Sequence, residues 1–210
     1  MRRQVWAFAL AISAVALTGC GGRGAERSGA ETGGLGTVCG DPRLVGARIG
    51  AIDRDAPIEG CGAPEGVRLT SVAGVRIEPA AITTCPVARS LAGWVENSVQ
   101  PASRQAFGRP VTSLRNAASY ACRSRNNQPG APLSEHGRAA AIDISSFRLS
   151  GQGFVPVLGG WDDPRSAGFL RSVWRGACGP FTTVLGPEAD RFHQDHFHLD
   201  VAPRRSAYCR

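Results

Sequence analysis

The four histidines of this 210-residue chain lie in two short segments. His136 belongs to the stretch 134–143, which ends in Asp143, and the other three belong to the stretch 193–200. Imidazole and carboxylate groups are common ligands of Zn²⁺ in proteins. Histidines gathered in this way, with aspartates beside them, therefore indicate a metal site built from both segments.

The spacing of His196 and His198 fits a β-strand over residues 196–201. Side chains alternate between the two faces of a strand, so both imidazoles point one way, while Phe197 and Leu199 point the other way. The apolar side chains would lie in the core, which leaves the imidazoles on the opposite face within reach of a metal ion. Polar residues on an exposed strand face are the alternative, and the segment around His136 favours the metal site.

The first twenty residues predict export. A basic pair precedes an apolar stretch over residues 5–17 that is too short to span a bilayer. The following LTGC at 17–20 resembles a bacterial lipoprotein signal, which implies a signal peptide over residues 1–19 and acylation of Cys20. Gly21 after this cysteine implies an anchor in the outer membrane of a Gram-negative bacterium, facing the periplasm. An ordinary secretory signal is the alternative.

Six further cysteines support an oxidising compartment, because an even number in an exported chain indicates three disulfides. No C-x-x-C pair is present, which argues against a metal site made of cysteines. Six cysteines allow many pairings, and the sequence alone does not choose among them. We predict the sequential set: Cys39–Cys61, Cys85–Cys122 and Cys178–Cys209.

Residues 20–38 are rich in glycine and predict a flexible tether, which leaves residues 39–210 as one domain. The formal net charge of +7 comes from arginines that are scattered along the chain. Scattered charge gives little support to nucleic-acid binding. We expect a monomer with no nucleic-acid partner.

Helical spacing of apolar residues predicts a long helix over 84–106 and a second helix after Pro164, with Phe169, Leu170, Val173 and Trp174 facing inward. Strands are expected at 119–123, 141–144, 181–185 and 196–201. Residues 39–82 suggest small strands or loops beside the main body. The fold class that follows is α+β, with a central antiparallel sheet flanked by helices.

Two motifs carry a family resemblance. The pattern Ser134-x-His136-x-x-Ala139-x-Ala141-x-Asp143, with Asp195-His196-x-His198 further on, resembles zinc D-alanyl-D-alanine carboxypeptidases, dipeptidases and murein endopeptidases, whose fold the hedgehog signalling domain shares. More closely, residues 39–209 resemble the bacterial extensin-like C-terminal domain. The matching stretches are CPVA at 85, SYACR at 119, SEH at 134, AIDI at 141, FLR at 169, AC at 177, VLGP at 184 and HFHLD at 196. The resemblance implies a single hedgehog/DD-peptidase-like domain.

The resemblance also implies a set of metal ligands and a candidate base. His136, Asp143 and His198 correspond to the three zinc ligands, an arrangement that leaves a fourth position open for water. Asp195 matches the acidic position that serves as the base in several of these peptidases. His196 competes with it, because an imidazole titrates near neutral pH, and the residues leave this choice open.

Further residues near these groups are candidates for supporting roles. Arg123, with Arg125 as the alternative, corresponds to the arginine that stabilises the oxyanion. Ser134 is expected to place His136, while His193 and Asp200 are expected to orient neighbouring side chains. One departure from the peptidase motif is Ala139, which stands where glycine is usual.

These features favour a periplasmic zinc metallopeptidase that hydrolyses peptidoglycan stem peptides of the cell wall by metal-activated water. The sequence does not specify which bond is cut. The alternative is a zinc-stabilised module that binds the cell wall or a partner without cleaving it, because fold does not determine function. A metal-free, disulfide-held envelope protein is disfavoured by the gathering of all four histidines.

Overall fold

The computed structural model describes residues 34–210. The predicted signal peptide, the predicted acylation site at Cys20 and most of the predicted tether lie outside this part of the chain. None of the helices formed by residues 34–210 combines the length and the apolar character needed to span a bilayer.

One mixed sheet forms the centre of residues 34–210. Its strands are β1 (Gly36–Thr37), β2 (Leu44–Ile52), β3 (Ala63–Val72), β4 (Val75–Thr83), β5 (Val111–Ala118), β6 (Ala141–Leu149), β7 (Phe154–Pro156), β8 (Thr183–Leu185), β9 (Phe197–Asp200) and β10 (Tyr208–Cys209). Their order is β1-β2-β3-β4-β5-β6-β9-β8-β10, and β7 pairs with β6 beside this path. The pairs β4–β5 and β8–β10 are parallel, so the predicted antiparallel sheet is confirmed only for the other pairs.

Residues 39–82 form long strands of the central sheet, and the expectation of small strands or loops is wrong. β2, β3 and β4 are nine, ten and nine residues long. The glycines that suggested loops are accommodated inside the ladder, since Gly50 pairs with Gly66 between two register shifts of β2 and β3. Such bulges let a strand continue through residues that usually end it.

The helices lie where the apolar spacing places them. α1 (Cys85–Trp94), a π-helical turn (Val95–Val99) and α2 (Gln100–Phe107) together confirm the predicted helix over 84–106. α3 (Ala167–Ala177) confirms the second helix, with Phe169, Leu170 and Val173 buried and Trp174 only partly buried. The indole nitrogen of Trp94 donates a hydrogen bond of 2.8 Å to the carbonyl of Val173, which joins the two helical segments.

Aromatic side chains fill the space between the helices and the sheet. The ring of Phe147 on β6 lies 6.0 Å from that of Trp94, 5.2 Å from that of Phe169 and 6.2 Å from that of Phe197, measured between centroids. Phe197 and Leu199 on β9 are fully buried. Because side chains alternate along β9, His198 faces away from this core. The opposite face of β6 and β9 is therefore left for polar side chains.

The predicted strand over 119–123 is wrong, because β5 ends at Ala118. The following loop instead contacts the segment around His136. The backbone nitrogen of Ala121 donates to the carbonyl of His136 at 3.2 Å, and that of Ser134 donates to the carbonyl of Arg123 at 3.0 Å. The strands predicted at 141–144, 181–185 and 196–201 appear as β6, β8 and β9 with shifted ends.

Three disulfides are present, as expected, but two of the predicted pairings are wrong. The structure contains Cys39–Cys85, Cys61–Cys122 and Cys178–Cys209, so Cys39–Cys61 and Cys85–Cys122 do not form, whereas the third predicted pair is confirmed. The nine residues of β2 separate Cys39 from Cys61. An extended strand of this length keeps them roughly 25–30 Å apart, far beyond the reach of a disulfide.

Candidate metal centre

Three elements bring the candidate ligands together. Asp143 on β6 and His198 on β9 lie directly opposite each other in the antiparallel ladder. His136 comes from the 3₁₀ turn Glu135–Arg138, just before β6. The hydroxyl of Ser134 accepts a hydrogen bond of 3.4 Å from the backbone nitrogen of His136 and thereby caps this turn.

The three side chains converge on a common point. Nε2 of His136, Oδ1 of Asp143 and Nδ1 of His198 form a triangle whose edges are 3.0–3.1 Å. A tetrahedral zinc ion with bonds of about 2.0–2.1 Å holds its ligand atoms about 3.3 Å apart. The triangle therefore needs only slight widening to hold such an ion. His136 and Asp143 are buried, with 1% and 5% of their surface exposed.

Hydrogen bonds behind the two rings determine which nitrogens can act as ligands. Nδ1–H of His136 donates to the carbonyl of Ser119 at 2.6 Å, and Nε2–H of His198 donates to Oδ2 of Asp200 at 3.2 Å. The nitrogens that face the triangle therefore carry lone pairs when the rings are neutral. Ligating histidines are oriented by this kind of support in known metal sites. The donor set fits a divalent metal.

The electrostatics of the cluster favour a bound cation. Burial alone would raise the pKa of Asp143, but hydrogen bonds with His136 and His198 hold it well below its usual value. Burial alone would lower the pKa of His198, but hydrogen bonds with Asp143 and Asp200 outweigh burial and raise it to about 9. Without a metal, a proton on His198 partly neutralises the carboxylates. A metal ion would take the place of that proton.

His196 lies next to the cluster and is held by Asp195. Its Nδ1–H donates to Oδ1 of Asp195 at 2.7 Å, and its Nε2 lies 3.6 Å from Oδ2 of Asp143. The side chain of Asp195 is 65% exposed and contacts the imidazole instead of the three ligands. The two predicted candidates for the base are thus in contact, with the imidazole nearer to the cluster.

His193 forms a second pair of the same kind with Asp190, a residue that the sequence analysis missed. Nδ1–H of His193 donates to Oδ1 of Asp190 at 2.7 Å. The ring centroid of His193 lies 5.2 Å from that of His196 and 5.8 Å from that of His198. Burial lowers the pKa of His193 in spite of its bond to Asp190. In the sequence, Asp190 could have been identified from its position three residues before His193.

All four histidines line one open cleft of about 420 Å³. Further lining residues include Arg123, Arg125, Leu185, Phe192, Arg204 and Tyr208. The guanidinium of Arg125 lies 3.6 Å from the carboxylate of Glu135, whereas that of Arg123 forms no ion pair within residues 34–210. Of the two predicted arginines, Arg123 is thus the one whose charge remains available in the cleft.

Ala139 occupies a backbone position that favours glycine. It is fully buried and has a φ of 52°, in the left-handed region, at the end of the 3₁₀ turn. Its carbonyl accepts hydrogen bonds of 3.2 Å from the hydroxyls of Thr83 and Thr84. These bonds attach the turn to the end of β4. The turn therefore forms with alanine at the position where the peptidase motif usually has glycine.

A known protein family matches the part of the chain that carries the candidate metal centre. The family model described as Extensin-like protein C-terminus matches residues 42–210. Neither a search of curated proteins nor a search of solved structures found a match. The matched range includes all the side chains of the candidate metal centre and its cleft. The chain therefore belongs to the Extensin-like protein C-terminus family.

Proposed function

We propose that this chain is a zinc-dependent peptidase of the hedgehog/DD-peptidase type that acts on peptidoglycan stem peptides in the periplasm. The observation that carries the proposal is the triangle of Nε2 of His136, Oδ1 of Asp143 and Nδ1 of His198, with edges of 3.0–3.1 Å, in an open cleft. Two histidines and one carboxylate with an accessible fourth position are typical of catalytic zinc. The lipoprotein-like sequence ending in Cys20 supports the compartment.

The position of His196 supports a role as general base. A zinc ion at this site would supply Lewis-acid polarisation of a carbonyl group and acidification of water. Nε2 of His196 faces the cluster, and Asp195 holds Nδ1–H on the other side of the ring. Nε2 can accept a proton from the attacking water and return it to the leaving amine. On this reading Asp195 is a positioning residue.

Arg123 supports the same reaction from another element. Its side chain lines the cleft, and no carboxylate of residues 34–210 pairs with it. A guanidinium placed in this way can donate to the oxygen that gains negative charge when water attacks a carbonyl. A module that only binds would need the three ligands but neither this donor nor the pair of His196 and Asp195. The combination favours catalysis over binding alone.

The first test measures metal and activity on the same protein. Protein purified without chelators should contain roughly one zinc ion per chain, and His136→Ala should reduce this content strongly. Incubated with purified peptidoglycan, the wild type should release new amines or D-alanine. His196→Ala should lower the rate about 10²-fold or more while retaining zinc.

The matched control is Asp55→Asn, which changes an exposed carboxylate outside the cleft and should leave the rate unchanged. Asp195→Asn should fall between this control and His196→Ala. Absence of any release by the zinc-loaded wild type across a range of pH would reject the peptidase and favour the binding module. Less than about half an equivalent of zinc, with no gain on adding zinc, would reject the metal centre.

A further inference from the structure

The cleft contains two guanidinium groups that no carboxylate of residues 34–210 neutralises, Arg123 and Arg204. The carboxylates of the cleft are already engaged: Asp143 and Asp200 with His198, Glu135 with Arg125, and Asp190 with His193. With a divalent metal bound, the three arginines and the metal that line the cleft would carry five positive charges against the four negative charges of its carboxylates. Net positive charge in a concave site favours an anionic ligand.

Arg204 is held in place before any ligand binds. Its Nε–H donates a hydrogen bond of 2.7 Å to the hydroxyl of Thr183, and its guanidinium carbon lies 5.6 Å from the ring centroid of Tyr208. Tyr208 is itself fixed, because its backbone nitrogen donates to the carbonyl of Thr182 at 2.8 Å and the next residue, Cys209, forms a disulfide. The two terminal nitrogens of Arg204 have no acceptor in residues 34–210, so they are available for a ligand.

The residue that holds Arg204, Thr183, is connected to the metal centre. Thr183 on β8 lies opposite Asp200 on β9, and Oδ2 of Asp200 accepts from His198 at 3.2 Å. Paired side chains on neighbouring strands are about 5 Å apart. Arg204 is therefore connected to the ligand His198 through two intervening side chains, and both residues line the same cleft.

We propose that Arg204, held by Thr183, binds the C-terminal carboxylate of a peptide whose last peptide bond lies at the metal centre. This inference rests on the proposed peptidase function. The two terminal nitrogens of a guanidinium match the two oxygens of a carboxylate, which gives both charge and directional selectivity. The substrate class is then peptides with a free C-terminus, and the reaction is that of a carboxypeptidase. Arg123 remains available for the reacting carbonyl.

The test compares each peptide with its amide. Zinc-loaded full-length protein is given an N-acetylated peptide ending in D-Ala-D-Ala, either as the free acid or as the C-terminal amide, and kcat/KM is measured. The wild type should prefer the acid by about ten-fold or more, as expected for loss of a charged hydrogen bond. Arg204→Gln should bring the acid down to the level of the amide and leave the amide unchanged, with Arg204→Lys intermediate.

Arg205→Gln is the matched control, because this neighbouring arginine is exposed and does not line the cleft, and it should change neither rate. Zinc content and melting temperature should be the same in all variants. Equal wild-type rates on acid and amide, or an equal loss of both in Arg204→Gln, would overturn the carboxylate site and leave the peptidase function intact.

A binding measurement separates this inference from the proposed function. The probes are N-acetyl-D-alanine and its amide, titrated into zinc-loaded wild type and Arg204→Gln. The acid should bind the wild type about ten-fold more tightly than the variant, and the amide should not distinguish them. This result without any peptidase activity would keep the carboxylate site and reject the peptidase. Acid binding that does not depend on Arg204 would reject the site.

Discussion

The ring of His198 lies between two carboxylates, with Oδ1 of Asp143 at 3.0 Å from Nδ1 and Oδ2 of Asp200 at 3.2 Å from Nε2. Only the first carboxylate faces the metal position. The second holds the ring from behind and keeps the proton on Nε2, so that Nδ1 presents its lone pair. At the residue scale, Asp200 therefore controls the ligand without touching the metal.

Asp200→Asn should lower zinc affinity about 10–100-fold, because the amide can still accept a hydrogen bond but no longer adds negative charge behind the ring. Competition with a chromophoric chelator measures this affinity. Asp190→Asn is the matched control, since that carboxylate bonds to His193, which is not one of the three ligands. Equal affinities of Asp200→Asn and the wild type would contradict the role of Asp200.

At the element scale, the turn that carries His136 depends on support from outside the sheet. The disulfide Cys61–Cys122 joins the connection between β2 and β3 to the loop after β5. The backbone nitrogen of Gly62 donates to the carbonyl of Gly137 at 2.7 Å, and a Cβ added at Gly137 would meet Sγ of Cys61 at 3.3 Å. The disulfide therefore packs directly against the ligand-bearing turn.

Replacing Cys61 and Cys122 together by serine should lower both stability and zinc affinity. The matched variant replaces Cys178 and Cys209. In the chain-entropy model each disulfide contributes about 4 kcal/mol, since loops of 61 and 31 residues differ little in closure entropy. Both variants should lose similar stability in denaturant titrations, but only the first should lose zinc affinity. Equal losses of affinity would indicate general destabilisation instead of positioning.

At the scale of the whole molecule, the candidate ligands come from two strands at the centre of the sheet and from the turn before β6. Asp143 and His198 belong to neighbouring strands, while His136 precedes β6 in the chain. An unfolded chain does not hold these three groups together. A metal bound here therefore stabilises the folded state of the domain through mass action.

Zinc should raise the melting temperature, and the increase should grow between about pH 6.5 and pH 9. In the metal-free protein the pKa of His198 is raised to about 9, so the stability from its protonation is complete below the unfolded value of 6.5 and is lost as pH rises through 9. Zinc competes with that proton, so its binding strengthens over the same range. At 1,000 times the dissociation constant, zinc adds about 4 kcal/mol.

Scanning calorimetry in zinc and in chelator, at several pH values, measures this difference. His198→Ala should abolish it, because the variant lacks both the titrating ring and a ligand. If the zinc-dependent increase in melting temperature stays constant or shrinks from pH 6.5 to pH 9, zinc does not compete with a proton on His198.

The convergence of the ligands could be predicted from the sequence because it depends on local rules. Alternation along β9 directs His198 away from Phe197, and the motif around His136 supplied the other two groups. The predicted convergence of the three side chains is present. The helices could be predicted for the same reason, since their apolar spacing is local.

Features that depend on which strands become neighbours could not be predicted. The separation of Cys39 from Cys61 follows from the length of β2, which Gly46 and Gly50 concealed in the sequence. Arg204 lies in an irregular segment, and its approach to the cleft requires β10 to run parallel to β8. Neither relation leaves a periodic signal in the sequence.

The two disulfides in the first part of the domain interleave, since Cys61 lies between Cys39 and its partner Cys85. Synthesis proceeds from the amino terminus, so Cys39 and Cys61 become available before either native partner. Oxidation at that moment can join them to each other, and only thiol–disulfide exchange recovers the native arrangement. Recombinant production should therefore benefit from a disulfide isomerase or a glutathione shuffling buffer.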